Sequence, residues 1–281
     1  MPFNYKTKPY EHQKEALLRS FARDNYAYFM EMGCGKSKVL IDNITWLYEN
    51  KKIDTAIIIA PKGVYMNWKN AEIPIHLPDN IEKNVYIWKA SANKTEKKVL
   101  EEGVKTRDKL RILLVNVESF ATAKVIKYLE AFTHRSNFML AVDESTTIKN
   151  IKAKRTKSVL KLGDLAKYKR ILTGSPITQS PMDLYAQCAF LDKDLLGFDS
   201  YWSFQGRYAV VRQTRMGNHS FQQVVGFKNL EELTDKLHRF AYRVTKKEAL
   251  DLPDKIYTTR EVVLTSDQIK HYNSMKDVAV A

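Results

Sequence analysis

The sequence predicts a doubly wound α/β fold, in which helices flank a parallel sheet. Short apolar runs alternate with helical patterns from Tyr26 to about Phe190. Several runs, such as residues 57–59, are apolar on both faces, which is typical of strands inside a covered parallel sheet. The stretches between them carry one apolar stripe at helical spacing. Strands that alternate with such helices indicate a doubly wound sheet.

Six strands are predicted in this region. They are Tyr26–Met30, Thr55–Ala60, Val85–Trp88, Arg111–Val115, Phe138–Val142 and Arg170–Leu172. Two of the helices are predicted from apolar stripes, formed by Leu40, Ile44, Leu47 and Tyr48 and by Val125, Tyr128, Leu129 and Phe132. Because ligands of open parallel sheets bind beyond the carboxyl ends of the strands, we expect the chemistry just after each strand.

The pattern changes after Phe190. Two extended runs, Tyr208–Arg212 and Ser220–Val225, flank a turn at residues 216–219 and predict a β-hairpin. Residues 229–240 are predicted to form a helix, with Asn229 as N-cap and Glu232 at its third position.

The tail is predicted to hold a strand at Arg260–Leu264 and a helix that begins at Ser266. We therefore expect an α/β lobe at residues 1–190, an appended helical and β-hairpin subdomain at 191–250, and a linker at 251–281.

Lys plus Arg number 46 and Asp plus Glu 32, so the net charge is +14. Such a surplus attracts polyanions, although a solvated basic surface is the alternative. The two cysteines, Cys34 and Cys188, are far apart and form no disulfide framework, which favours a reducing compartment. No segment has the length of a signal peptide core or a membrane span. We expect a soluble, cytoplasmic protein.

A phosphate-binding loop is predicted after the first strand. The loop reads Glu31-Met32-Gly33-Cys34-Gly35-Lys36-Ser37 and runs into a helix. Glycines let the backbone aim N–H groups at phosphate oxygens, and the helix N-terminus favours an anion. Lys36 is expected to reach the β- and γ-phosphates of ATP, and the Ser37 hydroxyl to bind Mg²⁺. Met30 replaces the first glycine of the common pattern, and a plain helix cap is the alternative.

An acidic pair, Asp143 and Glu144, follows the buried run 138–142. Carboxylates at the end of such a strand are costly without a cation, and Mg²⁺ on an ATP phosphate is a suitable one. Asp143 is expected to hold the metal and Glu144 to deprotonate the attacking water. The alternative role of these acids is to cap the next helix. The two motifs share one pocket if their strands lie side by side.

Taken together, the motifs resemble those of the first RecA-like lobe of superfamily-two helicases, and within them the Swi/Snf-type DNA translocases. The segments that carry the resemblance are Pro9-Tyr10 with Gln13, Glu31–Ser37, Ala60–Lys62 with Asn67-Trp68, Asp143–Thr146, Ile148–Asn150, Leu172–Ile177, Tyr242–Lys247 and Leu252–Lys255. Thr146 stands where that family's acidic box usually has His. Nothing after Tyr272 resembles the second lobe, which supplies arginines to the γ-phosphate, so a truncated or split protein is expected.

The resemblance implies a P-loop NTPase fold and a set of site residues. The nucleotide-binding set is Tyr10, Gln13, Met32, Gly33, Cys34, Gly35, Lys36, Ser37 and Lys38. The catalytic set is Lys36, Asp143 and Glu144, with Ser37 and Asp143 on Mg²⁺. The set that contacts nucleic acid, or couples it to the nucleotide, is Lys62, Asn67, Ser119, Thr173 and Gly174.

For several of these residues an ordinary role is the alternative. Gln13 either recognises adenine or is a solvated helix residue, and Tyr10 either stacks on the base or packs in the core. Trp68 is expected in the core, and Ser119 as the cap of the next helix. A helix at 149–161 exposes lysines that either bind DNA or are solvated. The cluster Arg239, Arg243, Lys246 and Lys247 is expected to brace the cleft between lobes or the DNA.

The leading hypothesis is an ATP-dependent motor on duplex DNA, with ATP and Mg²⁺ as cofactors and a second RecA-like lobe as partner. We expect little ATP turnover from this chain alone. The alternatives are a nucleotide-gated nucleic-acid-binding module without its own turnover and an RNA helicase of the same superfamily. An unrelated phosphate-loop kinase does not explain the segments Leu172–Ile177 and Leu252–Lys255.

Overall fold

The computed structural model describes residues 3–216, 219–251 and 258–280. The strands are β1 (Asn25–Met30), β2 (Thr55–Ala60), β3 (Lys83–Ile87), β4 (Leu110–Asn116), β5 (Phe138–Asp143), β6 (Tyr168–Leu172), β7 (Ala209–Met216), β8 (His219–Phe227) and β9 (Ala241–Val244). The α-helices are α1 (Glu11–Ser20), α2 (Lys36–Glu49), α3 (Tyr65–Asn67), α4 (Ile73–His76), α5 (Lys94–Lys105), α6 (Ala123–Thr133), α7 (Lys154–Gly163), α8 (Leu184–Leu191), α9 (Tyr201–Tyr208), α10 (Leu230–His238), α11 (Lys246–Ala249) and α12 (Ser266–Val280).

A seven-stranded parallel sheet organises the structure, in the order β3-β4-β2-β5-β6-β1-β9. Its two faces bury separate apolar clusters. In β2, for example, Ile57 and Ile59 join one cluster while Ile58 joins the other. Burial on both faces explains the uninterrupted apolar runs of the central strands. The predicted α/β architecture is confirmed, and each of the six predicted strands is present with ends that shift by at most two residues.

A seventh strand, β9, was not predicted. It pairs in parallel with β1, from Ala27 opposite Ala241 to Met30 opposite Val244. The chain divides into two compact units, Met1–Leu250 and Asp251–Ala281. The strand therefore lies in the segment 191–250 of the predicted subdomain and contributes to the main sheet of the first unit. The domain boundary at residue 190 stays a prediction.

The predicted hairpin is present as the antiparallel pair β7 and β8, with residues 217–218 of its turn outside the described part. Asn229 occupies the N-cap position of α10, as predicted, but the prediction that its side chain caps the helix is wrong. Asn229 has a left-handed backbone (φ 54°) and makes no side-chain cap; its Nδ2 donates instead to the Arg207 carbonyl at 2.8 Å. Glu232 accepts hydrogen bonds from Arg207 and Tyr208. Both side chains therefore bind residues of α9 instead of capping α10.

Two other predictions along the chain are corrected. The helix expected over 149–161 begins at Lys154, because a 3₁₀ turn (Ser145–Ile148) and an irregular segment precede it. Arg260–Leu264 is not a strand; within its own unit, the described residues offer no second strand to pair with. The helix expected from Ser266 is present as α12. The segment Leu252–Lys255 lies outside the described residues.

Arg170, on β6, is fully buried and ties the end of α1 to the sheet. Its guanidinium donates to the carbonyls of Ser20, Arg23 and Asp24 at 2.7–3.0 Å and to Asn43 Oδ1 at 2.9 Å. Ser20 is the last residue of α1, and Arg23 and Asp24 lie in the segment between α1 and β1, so the guanidinium binds the backbone where the helix leads into the sheet. None of the helices in the described ranges is long and apolar enough to cross a bilayer.

Candidate nucleotide-binding site

The segment between β1 and α2 has the geometry of a phosphate-binding loop. Gly33 (φ 86°) and Gly35 (φ 79°) both adopt the left-handed backbone that glycine tolerates best. Helix α2 begins at Lys36, and Val39 is its first residue whose N–H donates within the turn, to the Gly35 carbonyl at 3.2 Å. The N–H groups of the first turn are therefore free of helical partners and able to bind an anion. The Cys34 N–H, in contrast, closes a turn on the Glu31 carbonyl at 3.0 Å.

Lys36 folds back over this loop. Its ammonium donates to the carbonyl of Met30 at 3.1 Å, and the side chain is buried. Met30, which stands in place of the usual first glycine, is itself buried at the end of β1 and contributes that carbonyl to the loop. Methionine in place of the usual glycine therefore fits within the strand, and its carbonyl binds the Lys36 ammonium.

The side chain of Lys38 points away from the phosphate loop's anion site and binds within the protein, so the predicted contact of Lys38 with the nucleotide stays a prediction for its backbone N–H. Its ammonium is buried beside Asp42, with Nζ 2.8 Å from Oδ2, and lies 5.2 Å from the centre of the Tyr5 ring. Burial raises the pKa of Asp42 to about 6, against the effect of Lys38. The lysine side chain is therefore occupied within the protein, and only the backbone N–H of Lys38 is available to a phosphate.

Gln13 is buried against the phosphate loop, so its interpretation as a solvated residue is wrong. Its Nε2 donates to the Cys34 carbonyl at 3.2 Å and its Oε1 accepts from the Tyr10 backbone N–H at 3.0 Å. A Cβ added at Gly35 would lie 2.2 Å from Gln13 Nε2. Tyr10 is 62% exposed and stacks on His12, so it is not a core residue and offers a free ring face to a base.

The acidic pair lies at the carboxyl end of β5. Asp143 Oδ1 accepts the Glu144 N–H at 3.0 Å and its Oδ2 accepts Trp68 Nε1–H at 2.9 Å. Burial raises the pKa of the Asp143 carboxyl and the neighbouring Glu144 adds to the rise, while the Trp68 hydrogen bond and the Lys36 ammonium oppose it. A cation beside Asp143 would offset this cost of burial.

Glu144 has a left-handed backbone (φ 48°), a strained conformation for a residue other than glycine. Its Oε2 accepts the Thr173 hydroxyl at 3.2 Å. Thr173 also accepts the Ser175 N–H through the same hydroxyl, which fixes its orientation. The Glu144 carboxylate is therefore positioned by Thr173, which directly follows β6, the strand next to β5 in the sheet.

The strands that carry the two motifs are not neighbours, contrary to the simplest expectation. Strand β6 lies between β1 and β5 and ends in Thr173 and Gly174. A Cβ at Gly174 would lie 3.1 Å from the Met32 backbone nitrogen and 3.5 Å from Glu31 Cα. Gly174 therefore touches the phosphate loop while Thr173 touches Glu144, so the end of β6 connects the two motifs.

Gly174→Ala is expected to weaken binding of ATP. The methyl group must displace the loop backbone, which costs about 1–3 kcal/mol in a packed site, and the displaced loop no longer aims its N–H groups at the phosphates. Titration with a fluorescent ATP analogue measures the effect. The control is Gly206→Ala, because a Cβ there meets nothing within 4 Å. Equal affinities of the two variants would contradict the prediction.

Trp68 is fully buried, as expected, but its N–H on Asp143 was not foreseen. It begins a π-helical turn, Trp68–Glu72, directly after the short helix α3. Such turns are frequent at functional sites. The only sequence signal was the position of the Asn67-Trp68 pair after a buried strand.

The residues expected to meet nucleic acid lie beyond β2 and β4, which are adjacent strands. Lys62 and Asn67 are exposed, and Asn67 Nδ2 donates to Glu72 Oε1 at 3.1 Å. Ser119 does not cap α6: it lies inside a 3₁₀ turn, Val117–Ala121, and Thr122 occupies the N-cap position. The Ser119 carbonyl accepts the Thr122 hydroxyl at 2.9 Å.

Lys149 and Lys152, which follow the acidic pair in sequence, lie in separate environments. Lys149 contacts Thr178 and Asp183, the latter at 3.3 Å, and the Lys152 ammonium lies 5.3 Å from the centre of the exposed Trp202 ring. They do not lie on one helical face.

The donor set suits magnesium bound together with a nucleotide. A hydroxyl, Ser37, and a carboxylate, Asp143, provide the oxygen ligands that Mg²⁺ prefers. Across the described ranges, no group of three or more His, Cys, Asp or Glu is able to hold a metal. The phosphate oxygens and water therefore have to complete the coordination, as in sites where Mg²⁺ is bound with its substrate.

Comparison with known proteins gives a consistent result. Residues 23–281 match the model of the SNF2-related domain. The SWI/SNF chromatin-remodeling complex subunit snf22 of Schizosaccharomyces pombe is 28% identical over 254 residues, which are 88% of this chain and 14% of that protein. The Drosophila melanogaster SWI/SNF-related matrix-associated actin-dependent regulator of chromatin subfamily A-like protein 1 is 36% identical over 123 residues, 43% of this chain and 15% of that protein.

Among solved structures, the Sulfolobus solfataricus SWI2/SNF2 ATPase core in complex with dsDNA is similar over the whole chain, with a TM-score of 0.66 and 24% identity. The match covers 55% of that chain. The sheet is therefore RecA-like, as predicted. The chain spans well under half of the length of these curated relatives.

Proposed function

Because the chain belongs to the SNF2-related domain family, we propose that it is the nucleotide-binding lobe of an ATP-driven motor on duplex DNA. One observation carries the proposal. The phosphate loop and the acidic pair lie at the same edge of the sheet, and the end of β6 connects them, because Gly174 packs against the loop backbone while the Thr173 hydroxyl donates to Glu144.

The proposed chemistry is hydrolysis of ATP. The free N–H groups at the start of α2 bind phosphate oxygens, and Lys36 leaves the Met30 carbonyl to neutralise the β- and γ-phosphates. Ser37 and Asp143 hold Mg²⁺, which supplies positive charge to the phosphates during transfer. Glu144 accepts the proton of the attacking water, and the Thr173 hydroxyl keeps its carboxylate in position.

Adenine recognition is assigned to Tyr10 and Gln13. Tyr10 presents an exposed ring, and Gln13 carries both a donor and an acceptor. In the structure both polar groups of Gln13 bind the protein, so they must exchange partners or bind the base through their remaining hydrogen-bonding capacity.

Nucleic acid is proposed to bind beyond β2 and β4, with contacts from Lys62, Asn67 and Ser119. Contacts of lysine, amide and hydroxyl groups to phosphates set position and carry no sequence information. The net charge of +14 favours such a partner. Duplex DNA is preferred over RNA because the similar ATPase core was solved in complex with dsDNA.

The motor is proposed to need a second RecA-like lobe, from a longer protein or another chain. The matched ATPase core is almost twice as long as the part that this chain covers. We expect this chain alone to bind ATP weakly and to hydrolyse it slowly, because one lobe contacts only one side of the nucleotide.

The test measures ATP binding and DNA-stimulated phosphate release by the chain, alone and joined to a second RecA-like lobe. Lys36→Ala is expected to raise the Kd for Mg·ATP by about 10- to 100-fold, since it removes a charge-assisted hydrogen bond to the phosphates. Duplex DNA should stimulate the two-lobe protein more than RNA does. Failure of the two-lobe protein to bind ATP would refute the proposal; stimulation by RNA alone would favour an RNA helicase.

A further inference from the structure

Lys246, at the start of α11, lies against the phosphate loop. A Cβ built on Gly33 would be 3.2 Å from Lys246 Cε and 3.7 Å from its Nζ. The lysine stem therefore crosses the loop at a residue that has no side chain, and Gly33 (φ 86°) leaves the space for it. On the sequence, Lys246 belongs to a basic cluster and to the segment Tyr242–Lys247 that carries the family resemblance, and neither predicts a contact with the phosphate loop.

The backbone around Lys246 is fixed to the loop by two hydrogen bonds. The Glu31 N–H donates to the Val244 carbonyl at 2.9 Å, and the Lys246 N–H donates to Glu31 Oε2 at 2.8 Å. On the other side, Glu248 Oε2 accepts the Thr245 N–H at 2.8 Å. The position of Lys246 thus depends on main-chain contacts and the pairing of β9 with β1 rather than on its own side chain.

The Lys246 ammonium has no carboxylate within ion-pair distance in the described residues. Burial chiefly raises the pKa of the Cys34 thiol in the middle of the loop and the Glu31 carboxylate adds to the rise, while the ammonium groups of Lys36 and Lys246 both oppose it. Two ammonium groups therefore lie near the same few residues. Neither forms an ion pair among the described residues, and the Glu31 carboxylate accepts the Lys246 N–H instead, so this positive charge suits a polyanionic ligand.

We propose that Lys246 Nζ binds the polyphosphate of a nucleotide held at the phosphate loop. This inference rests on the proposed function and adds a nucleotide-binding residue that lies 215 positions from the loop residue that anchors it. A purely structural role for the side chain is the alternative. The anchor on Glu31 uses the backbone N–H of Lys246, so a change of side chain leaves it intact.

The experiment compares Lys246→Met, which keeps most of the stem and removes the charge, with Lys97→Met at an exposed lysine on α5. Isothermal titration of this chain with ATP, ADP and adenosine measures each affinity. Lys246→Met is expected to raise the Kd for ATP and ADP by about 5- to 50-fold, as for one charge-assisted hydrogen bond. Lys97→Met should leave both affinities unchanged, and Lys246→Arg should restore most of the affinity.

Adenosine separates phosphate binding from a structural effect. Unchanged adenosine affinity and an unchanged unfolding midpoint in Lys246→Met support the inference. Equal ATP affinity of Lys246→Met and the wild type would overturn it, as would an equal loss for ATP and adenosine. A wild-type chain that binds no nucleotide, even with a second lobe, would overturn the proposed function and this inference together.

Discussion

Glu144→Gln is expected to lower the rate of ATP hydrolysis by about 10²–10⁴-fold, the contribution of a positioned general base, while binding of Mg·ATP is kept. The amide has nearly the shape of the carboxylate, so the Thr173 hydroxyl, 3.2 Å from Glu144 Oε2, retains a partner. Asp143, Lys36 and Ser37 are unchanged, so the phosphates and the metal are still held. The loss should therefore appear in kcat and hardly in KM.

Steady-state release of phosphate over a range of Mg·ATP concentrations, with the chain joined to a second lobe and saturated with duplex DNA, measures this effect. Glu130→Gln, an exposed acid on α6, is the control and should hydrolyse ATP at the wild-type rate. A Glu144→Gln variant with more than a tenth of the wild-type kcat would remove Glu144 from the role of general base. A rise in KM with unchanged kcat would assign it to binding.

Arg170→Met is expected to lower the free energy of unfolding by about 2–5 kcal/mol, because it leaves hydrogen-bond acceptors in the protein interior without their donor. Methionine fills similar volume but leaves the Arg23 carbonyl and the Asn43 amide oxygen without the guanidinium, while the Ser20 and Asp24 carbonyls keep only the backbone N–H groups of Arg23 and Lys169. Unmet buried acceptors each carry a desolvation penalty. Because α1 carries Gln13, the same change should also weaken nucleotide binding.

Urea unfolding monitored by circular dichroism measures the stability difference. The matched control is Lys161→Met, an exposed cation on α7, which should change stability by less than about 0.5 kcal/mol. A difference below about 1 kcal/mol between the two variants would show that water replaces the guanidinium, contrary to the burial of Arg170 in the structure.

The sequence predicted what depends on local pattern. Apolar runs identified six strands of the sheet because a buried parallel strand needs no alternation, and the loop at 31–37 was recognisable because glycines, lysine and serine keep fixed spacing. Strand β9 was not predicted because its four residues, Ala241–Val244, are too few to give an apolar strand pattern and include the charged Arg243.

The sequence also failed to predict contacts between segments that are far apart in the chain. Nothing at Trp68 indicates that its N–H binds Asp143, and nothing at Lys246 indicates that it crosses Gly33, since both depend on which strands become neighbours. Asn229 illustrates the opposite error: its type suits an N-cap, but a carbonyl from α9 offered a better partner. Local propensity is a weak guide where tertiary contacts compete.

The place of β1 in the sheet also constrains how the protein is made. One neighbour, β6, follows more than a hundred residues later, and the other, β9, contains the chain positions 241–244. At a synthesis rate of 5–20 residues per second, the 215 positions between Glu31 and Lys246 take roughly 10–40 s to emerge from the ribosome. During that interval one edge of the nascent β1 has no partner strand. The contacts of the phosphate loop with β9 and Lys246 therefore form late, because they require the intervening chain to close over a long distance in sequence.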